Sequence, residues 1–398
     1  MSNISSPAAP ARPRVASALF LAIFIEGLML AVPGPTLDVL SQNTSSTIGR
    51  IGIIFTANGL GFVAGALIAG RWYARVDGNR VLSLALLAMA IATVLVPMAT
   101  SLSFLLFLFV IIGTVIGLID VGANTMLVWE YGKRVPPYMN ALHLFWGIGA
   151  FAAPLVVAWL AESTGDALQA YWVFAAMMIP CSLWVALAPA VDVPADAGRE
   201  ASPAVWRRHT RLILLLGALF FLHVGAELSF GGWIFSYAAA GDLGADTTAR
   251  VLNSIFWGGL VVGRLFAIPL SLRLSARAMI WLDLSGAGVA LAVVAFLGSW
   301  GPAIWLGAAL FGVSIASIFA SCLNFAGQHM PITSQVTSVF LIGASIGSMT
   351  LPWLTGVLFD RTGPWTMPFV VGATILGALA LFLVITKHTA GESVDATA

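Results

Sequence analysis

The sequence predicts an all-α membrane protein, with twelve transmembrane helices arranged as two pseudo-symmetric six-helix bundles. Three observations support this fold class. Of the 398 residues, 60% are hydrophobic and only 9% are charged, whereas soluble domains carry about 25% charged residues. Apolar stretches of about 18 residues or more, which is enough to span a bilayer, recur along the whole chain. The second half of the chain also repeats features of the first half.

Twelve apolar windows mark the predicted spans, at 15–38, 48–71, 81–100, 103–129, 138–160, 170–190, 212–238, 249–272, 278–298, 302–326, 334–358 and 366–386. The run that begins at Val15 is too long for the apolar core of a signal peptide, so we take it as the first span. The chain thus divides into a disordered cytoplasmic tail (1–14), an N-terminal six-helix bundle (15–190), a polar and basic cytoplasmic linker (191–211), a C-terminal six-helix bundle (212–386) and a second cytoplasmic tail (387–398).

The repeat is clearest in two segments that lie 198 residues apart. PLVVAWLAESTG begins at Pro154 and PWLTGVLFDRTG begins at Pro352, and the two share the proline, an acidic residue and a closing Thr-Gly. Arg75 and Arg273 have the same separation. The two halves cross the membrane in the same direction and are joined by a cytoplasmic loop. This arrangement implies a pseudo-two-fold axis along the membrane normal and a cavity between the halves.

Basic residues near the ends of spans stay on the cytoplasmic side of a membrane. Fourteen of the 18 Lys and Arg residues fall on the side that carries both termini, and three, Arg50, Arg250 and Arg361, fall on the other side. This asymmetry predicts that both termini are cytoplasmic. Together with the short loops, it predicts an integral, multi-pass protein of the bacterial inner (plasma) membrane, surrounded by the lipid bilayer, and we expect a monomer.

Several classes of function are disfavoured. A formal net charge of +1 gives no electrostatic basis for binding nucleic acid. The sequence shows no nucleophile with a base, no phosphate-binding loop and no metal-ligand spacing, so an enzyme is the least favoured class and no cofactor is expected. Cys181 and Cys322 fall inside apolar segments, where cysteines behave as small hydrophobic residues.

The loop between the second and third spans carries a family motif. It reads GRWYARVDGNR from Gly70 to Arg80, which resembles the Gly-x-x-x-Asp-Arg-x-Gly-Arg signature of the major facilitator superfamily. In that family the loop latches the two halves on the cytoplasmic side, so the resemblance implies gating roles for Gly70 and Arg75. The sequence departs from the signature at Ala74, where the family has Asp.

Four further segments resemble one branch of this superfamily, which transports fucose, galactose and glucose and includes the sodium-dependent glucose transporters of animals. They are GPTLDVL at 34–40, GLIDVGANTMLVW at 117–129, ALHLFWGIGAFAAPL at 141–155 and GRLFAIPLSLRLS at 263–275. The superfamily resemblance covers essentially the whole chain and implies the major facilitator fold. The branch resemblance implies a monosaccharide carried together with a proton or a sodium ion.

Two carboxyl groups fall near the middle of predicted spans. Asp120 lies in the fourth span on one helical stripe with Asn124, and Glu26 lies in the first span. An ionised Asp at the bilayer centre costs about 2.5–3.5 kcal/mol, so both side chains should face the protein interior. A carboxyl that is neutral when sealed and ionised when water reaches it can carry a proton. We therefore predict that Asp120 and Glu26 couple the protein to a cation; the alternative for each is a buried pair that fixes helix packing.

Amides and tryptophans inside the spans suit a polyhydroxylated solute, because a sugar ring stacks on aromatic rings and its hydroxyls pair with amides. Spacing places Asn253 beside Trp257. His223 and Glu227 are one turn apart in the seventh span. They can either belong to a binding site or form a pair that only stabilises helix packing. The predicted substrate-binding residues are Asn58, Asn124, His143, Trp146, Glu227, Asn253, Trp257, Asn324 and Gln328.

Two further residues are predicted to be structural. Arg264 lies inside the eighth span and needs a partner, and Asp283, early in the ninth span, falls at a comparable depth. We predict that they form a pair that does not bind substrate. Trp233, on a Gly-Gly-Trp corner, is expected either to act as a gate or to anchor the helix at the membrane interface.

The favoured function is a secondary active transporter that moves a neutral small solute, most simply a monosaccharide, by alternating access coupled to protons or sodium. The second possibility is a proton-coupled efflux antiporter for drugs or metabolites, because abundant Phe and Met residues can line a forgiving pocket. The third is a non-transporting sensor or lipid-handling protein, which would have a cavity without a path to both sides.

Overall fold

The computed structural model describes residues 12–73, 75–193, 204–241, 246–298, 300–332 and 334–395, and every regular element in these ranges is helical. Twelve helices there are long and apolar enough to cross a membrane, which confirms the predicted fold class. We number them α1 to α12, in order Pro13–Ala31, Ile53–Trp72, Gly78–Leu95, Leu102–Tyr131, Val135–Thr164, Gln169–Ala186, Ala204–Ala240, Asp246–Ser271, Ala276–Leu297, Gly301–His329, Ser334–Thr362 and Thr366–Asp395.

The first span is shorter than the apolar window that predicts it. After Ala31 the chain passes through a 3-10 segment, Gly34–Thr36, into a short helix, Leu37–Asn43. Pro33 and Pro35 have no backbone N–H to donate, so α1 cannot continue through them. Instead of extending the first helix, the Gly34–Thr36 segment packs against α5 of the first half and against α7 and α8 of the second half.

Two other helices extend beyond their predicted spans. α7 begins at Ala204, inside the predicted linker, and has one non-helical residue at His209. α12 continues to Asp395, inside the predicted C-terminal tail. An apolar window locates the part of a helix that crosses lipid and does not determine how far the helix continues into water. Most of the predicted tail 1–14, and residues 194–203 of the linker, lie outside the described residues.

The internal repeat is visible in how the helices pack. A Cβ atom on Gly65 of α2 would lie 1.9 Å from the carbonyl oxygen of Thr114 on α4. A Cβ atom on Gly263 of α8, 198 positions later, would lie 2.4 Å from the carbonyl oxygen of Val313 on α10. Small residues permit such a close approach of two backbones. The same helix pair is thus packed by equivalent glycines in both halves.

The contacts between the halves follow the same symmetry. α2 packs against α11, and α5 packs against α8, as expected if a pseudo-two-fold axis along the membrane normal exchanges α2 with α8 and α5 with α11. Because the number of spans is even, the start of α1 and the end of α12 lie on the same side of the membrane. We call this the termini side and the opposite one the far side.

Candidate functional site

A cavity of about 1240 Å³ lies between the two halves. On the termini side it reaches the ends of the helices, because Asn140 near the start of α5, Ser271 at the end of α8 and Ala276 at the start of α9 all line it. Towards the far side its lining ends at Gly34 and Gly232. The cavity is therefore open on the termini side and closed on the far side.

Two residues of the second half, Asp360 and Arg250, make polar contacts with the first half on the far side. Asp360, at the end of α11, accepts a hydrogen bond from the Gly49 N–H at 2.8 Å and another from the Thr47 hydroxyl. Arg250, at the start of α8, is only 4% exposed, and its Nη2 lies 3.4 Å from the Asp38 carboxylate. Asp360 is the acidic residue of the repeated segment, but that pattern did not indicate its contact with the other half.

Trp233 fills the space beneath these contacts. Its indole is fully buried, and its Nε1–H donates a hydrogen bond to the Pro352 carbonyl at 2.9 Å. A Cβ atom on Gly52 of the first half would lie 2.7 Å from the indole ring, and one on Gly356 of the second half would lie 2.5 Å from it. Of the two predicted uses, this position between the halves fits a gate and does not fit an interfacial anchor.

The two predicted coupling carboxyls meet at the cavity wall. Glu26, which is 5% exposed, and Asp120 both line the cavity and interact electrostatically with each other. Asn124 donates a hydrogen bond to Asp120 Oδ1 at 2.9 Å. Within the described part of the chain, neither carboxyl has a basic side chain within 4.0 Å. No described basic residue therefore locks either of them into a structural ion pair.

Most of the predicted substrate-binding residues line the same cavity, namely Asn58, Asn124, His143, Trp146, Glu227, Trp257 and Asn324. Glu227 lies beside His223, with 3.7 Å between its Oε2 and the His223 Nε2. These side chains come from both halves of the protein. Their convergence gives the cavity several hydrogen-bonding groups around two tryptophan rings.

Asn253 and Gln328 do not line the cavity. Asn253 is fully buried, and its Nδ2 donates to the Gly231 carbonyl at 2.6 Å while its Oδ1 accepts from the Trp257 indole at 3.1 Å. Its polar atoms are thus occupied in joining α8 to α7 and in orienting Trp257. Gln328 is an exposed residue near the end of α10. Helical spacing identified the polar stripes correctly but did not show which part of each stripe faces the cavity.

The predicted pair between Arg264 and Asp283 does not form. Arg264 Nη1 donates a hydrogen bond to the His143 carbonyl in the other half at 3.1 Å, and its guanidinium carbon lies 4.9 Å from the centre of the Trp146 ring. Asp283 accepts a hydrogen bond from Ser317, where α10 is interrupted. Two residues at the same depth need not face each other, because rotation about each helix axis sets where a side chain points.

The loop that resembles the family signature lies on the open side. Gly70 has no atom within 4 Å of the position that a Cβ would take, and Arg75 is exposed. Both observations fit a cavity that is open on this side. The gating roles of these two residues stay predictions, and Ala74 lies outside the described residues.

Residues 19–340 match the family model of the Major Facilitator Superfamily. The chain therefore belongs to this superfamily, as its sequence motifs predict, and is an integral, multi-pass membrane transporter. It is similar to the mouse protein named sodium-dependent glucose transporter 1A, with 27% identity over 367 residues that cover 83% of this chain and 86% of that protein. It is also similar to human sodium-dependent glucose transporter 1, with 28% identity, 83% of this chain and 71% of that protein.

Solved structures of transporters share the fold. A mutant of the nucleoside transporter NupG superposes with a TM-score of 0.77 at 13% identity, covering 94% of this chain and 100% of that one. A bacterial homolog of the human lysosomal transporter Spinster, in an inward-facing and unoccupied conformation, superposes with a TM-score of 0.71 at 15% identity, covering 96% and 97%. At this level of identity the likeness concerns the fold alone.

Proposed function

We propose that the protein is a secondary active transporter that moves a neutral monosaccharide by alternating access, coupled to a cation that is either a proton or sodium. One observation carries this proposal. Glu26 and Asp120 border a cavity that is open on one side, and among the described residues neither has a basic partner within 4.0 Å. Ionisable residues inside a membrane protein are costly, and those that line a solvent-filled cavity mark ion or substrate pathways.

The cavity wall supports a polyhydroxylated substrate. Trp146, which is half-buried in the cavity wall, offers aromatic surface to the apolar face of a sugar ring. Trp257 is buried and packs edge to face against it, with 5.9 Å between the ring centres. The amides of Asn58, Asn124 and Asn324 line the same space and can each donate to and accept from hydroxyl groups. The similarity to proteins named sodium-dependent glucose transporters favours the same class of substrate.

Alternating access assigns a role to the far-side contacts. With the orientation predicted from the basic residues, the termini side is cytoplasmic and the present state is inward-open. To face outwards, the protein must break the contacts of Asp360 and Arg250 and close the termini side. An ion bound between Glu26 and Asp120 favours one of these states to the extent that its binding free energy differs between them. We place the protein, as a monomer, in a bacterial inner membrane with both termini in the cytoplasm.

Proteoliposomes test the proposal directly. We expect at least one labelled sugar from a broad panel to accumulate against its gradient when a pH gradient or a sodium gradient is imposed. Asp120→Asn should abolish the accumulation, and binding of the same sugar should raise the melting temperature of the wild-type protein. The proposal is wrong if no sugar in the panel accumulates under either gradient.

A proton-coupled efflux antiporter is the second candidate. It is favoured by the apolar part of the cavity lining, which includes Phe55, Phe62, Met139 and Phe319, since such residues accept varied amphipathic molecules. Inside-out vesicles distinguish the two candidates. An antiporter would load them with an amphipathic dye when their lumen is acidic and would ignore sugars.

A further inference from the structure

Asp283 is a buried carboxyl that the proposed coupling site does not use. It lies on α9, is 7% exposed and accepts a hydrogen bond from the Ser317 hydroxyl of α10. Among the described residues, no lysine, arginine or histidine nitrogen lies within 4.0 Å of its carboxylate. An ionised carboxyl inside a membrane protein is costly without a compensating charge. A cation from solution can supply that charge.

Asp283 continues a stripe of α9 that faces the cavity. Ala276 and Met279 line the cavity, and Asp283 follows at the spacing of three and four residues that keeps side chains on one face of a helix. On α10, Ser317 lines the cavity as well. Because the cavity is open on the termini side, water and small ions from that side can reach Ser317 and the carboxylate that is bonded to it.

The backbone of α10 is interrupted at this contact. The helix is regular as far as Ile315 and again from Ile318, and its hydrogen-bond ladder resumes where the Ser321 N–H donates to the Ser317 carbonyl at 2.9 Å. The preceding carbonyl, that of Ala316, receives no backbone N–H from the described residues. Non-helical backbone at membrane depth is tolerated only where protein buries it or where it borders a water-filled cavity. Ala316 lines the cavity, so a ligand in the cavity can reach this part of the backbone.

We propose that Asp283, Ser317 and the interrupted backbone of α10 form a binding site for a sodium ion, in the other half of the protein from Glu26 and Asp120. Carboxylate, hydroxyl and carbonyl oxygens are the ligands that hard cations prefer, and carbonyls of unwound helices bind sodium in membrane transporters. The Ser317 hydroxyl can donate to the carboxylate and also offer a lone pair to the ion, because a hydroxyl has one proton and two lone pairs. Water from the cavity completes the coordination.

The charge of the site favours a monovalent ion. The Asp283 carboxylate balances one positive charge, whereas a divalent ion would bring a second charge into a region of low dielectric constant. The described part of the chain also holds no group of three or more His, Cys, Asp or Glu side chains that could bind a metal ion. Sodium therefore fits this site better than calcium or a transition metal.

Sodium binding tests the inference without any sugar. Equilibrium binding of radioactive sodium is measured on the purified full-length protein in detergent, with choline chloride keeping the ionic strength constant. The reference is the double variant Glu26→Gln/Asp120→Asn, in which the coupling carboxyls no longer attract cations. We expect this variant still to bind one sodium ion per protein. Asp283→Asn in the same background should weaken the binding by about tenfold or more, which is the effect of losing one contact to a charged group.

Two serines of α10 provide a matched comparison. Ser317→Ala removes a proposed ligand, whereas Ser321→Ala removes a hydroxyl one turn further along the same helix. Both serines are 7% exposed and line the cavity. In the same background, Ser317→Ala should weaken sodium binding by about fivefold, as expected for one hydrogen-bonding group, and Ser321→Ala should change it by less than about twofold. Equal effects of the two substitutions would contradict the site.

Sodium binding that is unchanged by Asp283→Asn would overturn the inference, and so would a folded double variant that binds no sodium. Melting temperatures in sodium-free buffer show whether each variant is folded. If Asp283→Asn does not fold, the two serine variants decide. If the double variant does not fold, the same substitutions are compared in the wild-type background, where Asp283→Asn should remove one bound ion and an unchanged stoichiometry would refute the site.

The inference and the proposed function fail separately. A proton can serve at Glu26 and Asp120, so a protein without a sodium site at Asp283 can still accumulate sugar. Conversely, a protein that accumulates no sugar can still bind sodium at Asp283. The sugar panel in proteoliposomes decides the first question, and the sodium measurements on the Asp283 and Ser317 variants decide the second.

Discussion

Removing the Asp360 carboxylate should shift the protein towards the state that is open on the far side. Asp360 belongs to α11, and its two hydrogen-bond donors, the Gly49 N–H at 2.8 Å and the Thr47 hydroxyl, belong to the first half. These bonds can exist only while the far side is closed. Their loss therefore changes the free energy of one state and leaves the other unaffected.

The size of the shift follows from the two bonds and their surroundings. Hydrogen bonds to charged groups contribute about 1.5–3 kcal/mol each. Asp360 is exposed, and charged contacts at exposed sites contribute at most about 1 kcal/mol because water and salt screen them. Two such bonds then stabilise the closed far side by about 1–2 kcal/mol, and their removal in Asp360→Ala should change the ratio of the two states by about 5- to 30-fold.

Pulsed electron paramagnetic resonance measures this ratio. Spin labels at Gln42 and Trp365, which are exposed residues near the far side of the two halves, report the opening as a longer distance. Glu162→Ala is the matched control, since Glu162 occupies the position 198 residues before Asp360 and is also exposed. The population at long distance should grow in Asp360→Ala and not in Glu162→Ala. An unchanged distance distribution in Asp360→Ala would refute its role in holding the far side shut.

Three other substitutions, one of them with a matched control, have defined outcomes. Glu26→Gln, which keeps the side chain neutral, should abolish gradient-driven accumulation in proteoliposomes and preserve sugar exchange; accumulation at the wild-type level would show that Glu26 does not carry the ion. Gly65→Ala places a methyl group 1.9 Å from a carbonyl oxygen of α4 and should lower the melting temperature, because overpacking costs about 1–3 kcal/mol. Gly70→Ala has open space around the new methyl group, and equal melting temperatures for the two variants would contradict this packing. Arg12→Ala removes an ion pair with Glu130, with N–O distances of 2.7 and 2.5 Å. Since the Arg12 side chain is 38% exposed, the free energy of unfolding should fall by about 1 kcal/mol or less. The difference should shrink at high salt, and a salt-independent difference would point to lost packing.

Local patterns predicted the helices and the cavity for a physical reason. The length of an apolar run determines whether it can cross a bilayer, and the cost of burying a charge in lipid forces an intramembrane carboxyl to face the interior. Both effects depend on the residue and its own helix. Glu26, Asp120 and Asn124 could therefore be assigned to the interior from the sequence, and the structure brings all three to the cavity wall.

Features that depend on a second helix could not be predicted in this way. The sequence predicts that Asn253 binds substrate, because it is polar and lies one turn from Trp257. In the structure its side-chain N–H donates to the nearby Gly231 carbonyl instead. Arg264 was matched with Asp283 by depth alone, whereas the rotation of α8 directs it towards His143. In each case the outcome depends on which residues of a neighbouring helix face the side chain. The spacing of residues within one helix does not give this information.

Helix α8 connects the wall of the cavity to the contacts on the far side. Arg264, which lies over Trp146, and Arg250, which contacts Asp38, are on the same helix. They are fourteen residues apart, so the distance along the helix axis is about 21 Å at 1.5 Å per residue. A helix of this kind moves largely as a rigid body. A tilt of α8 that separates Arg264 from Trp146 therefore also displaces Arg250 relative to Asp38, so the contact in the cavity and the contact on the far side change together.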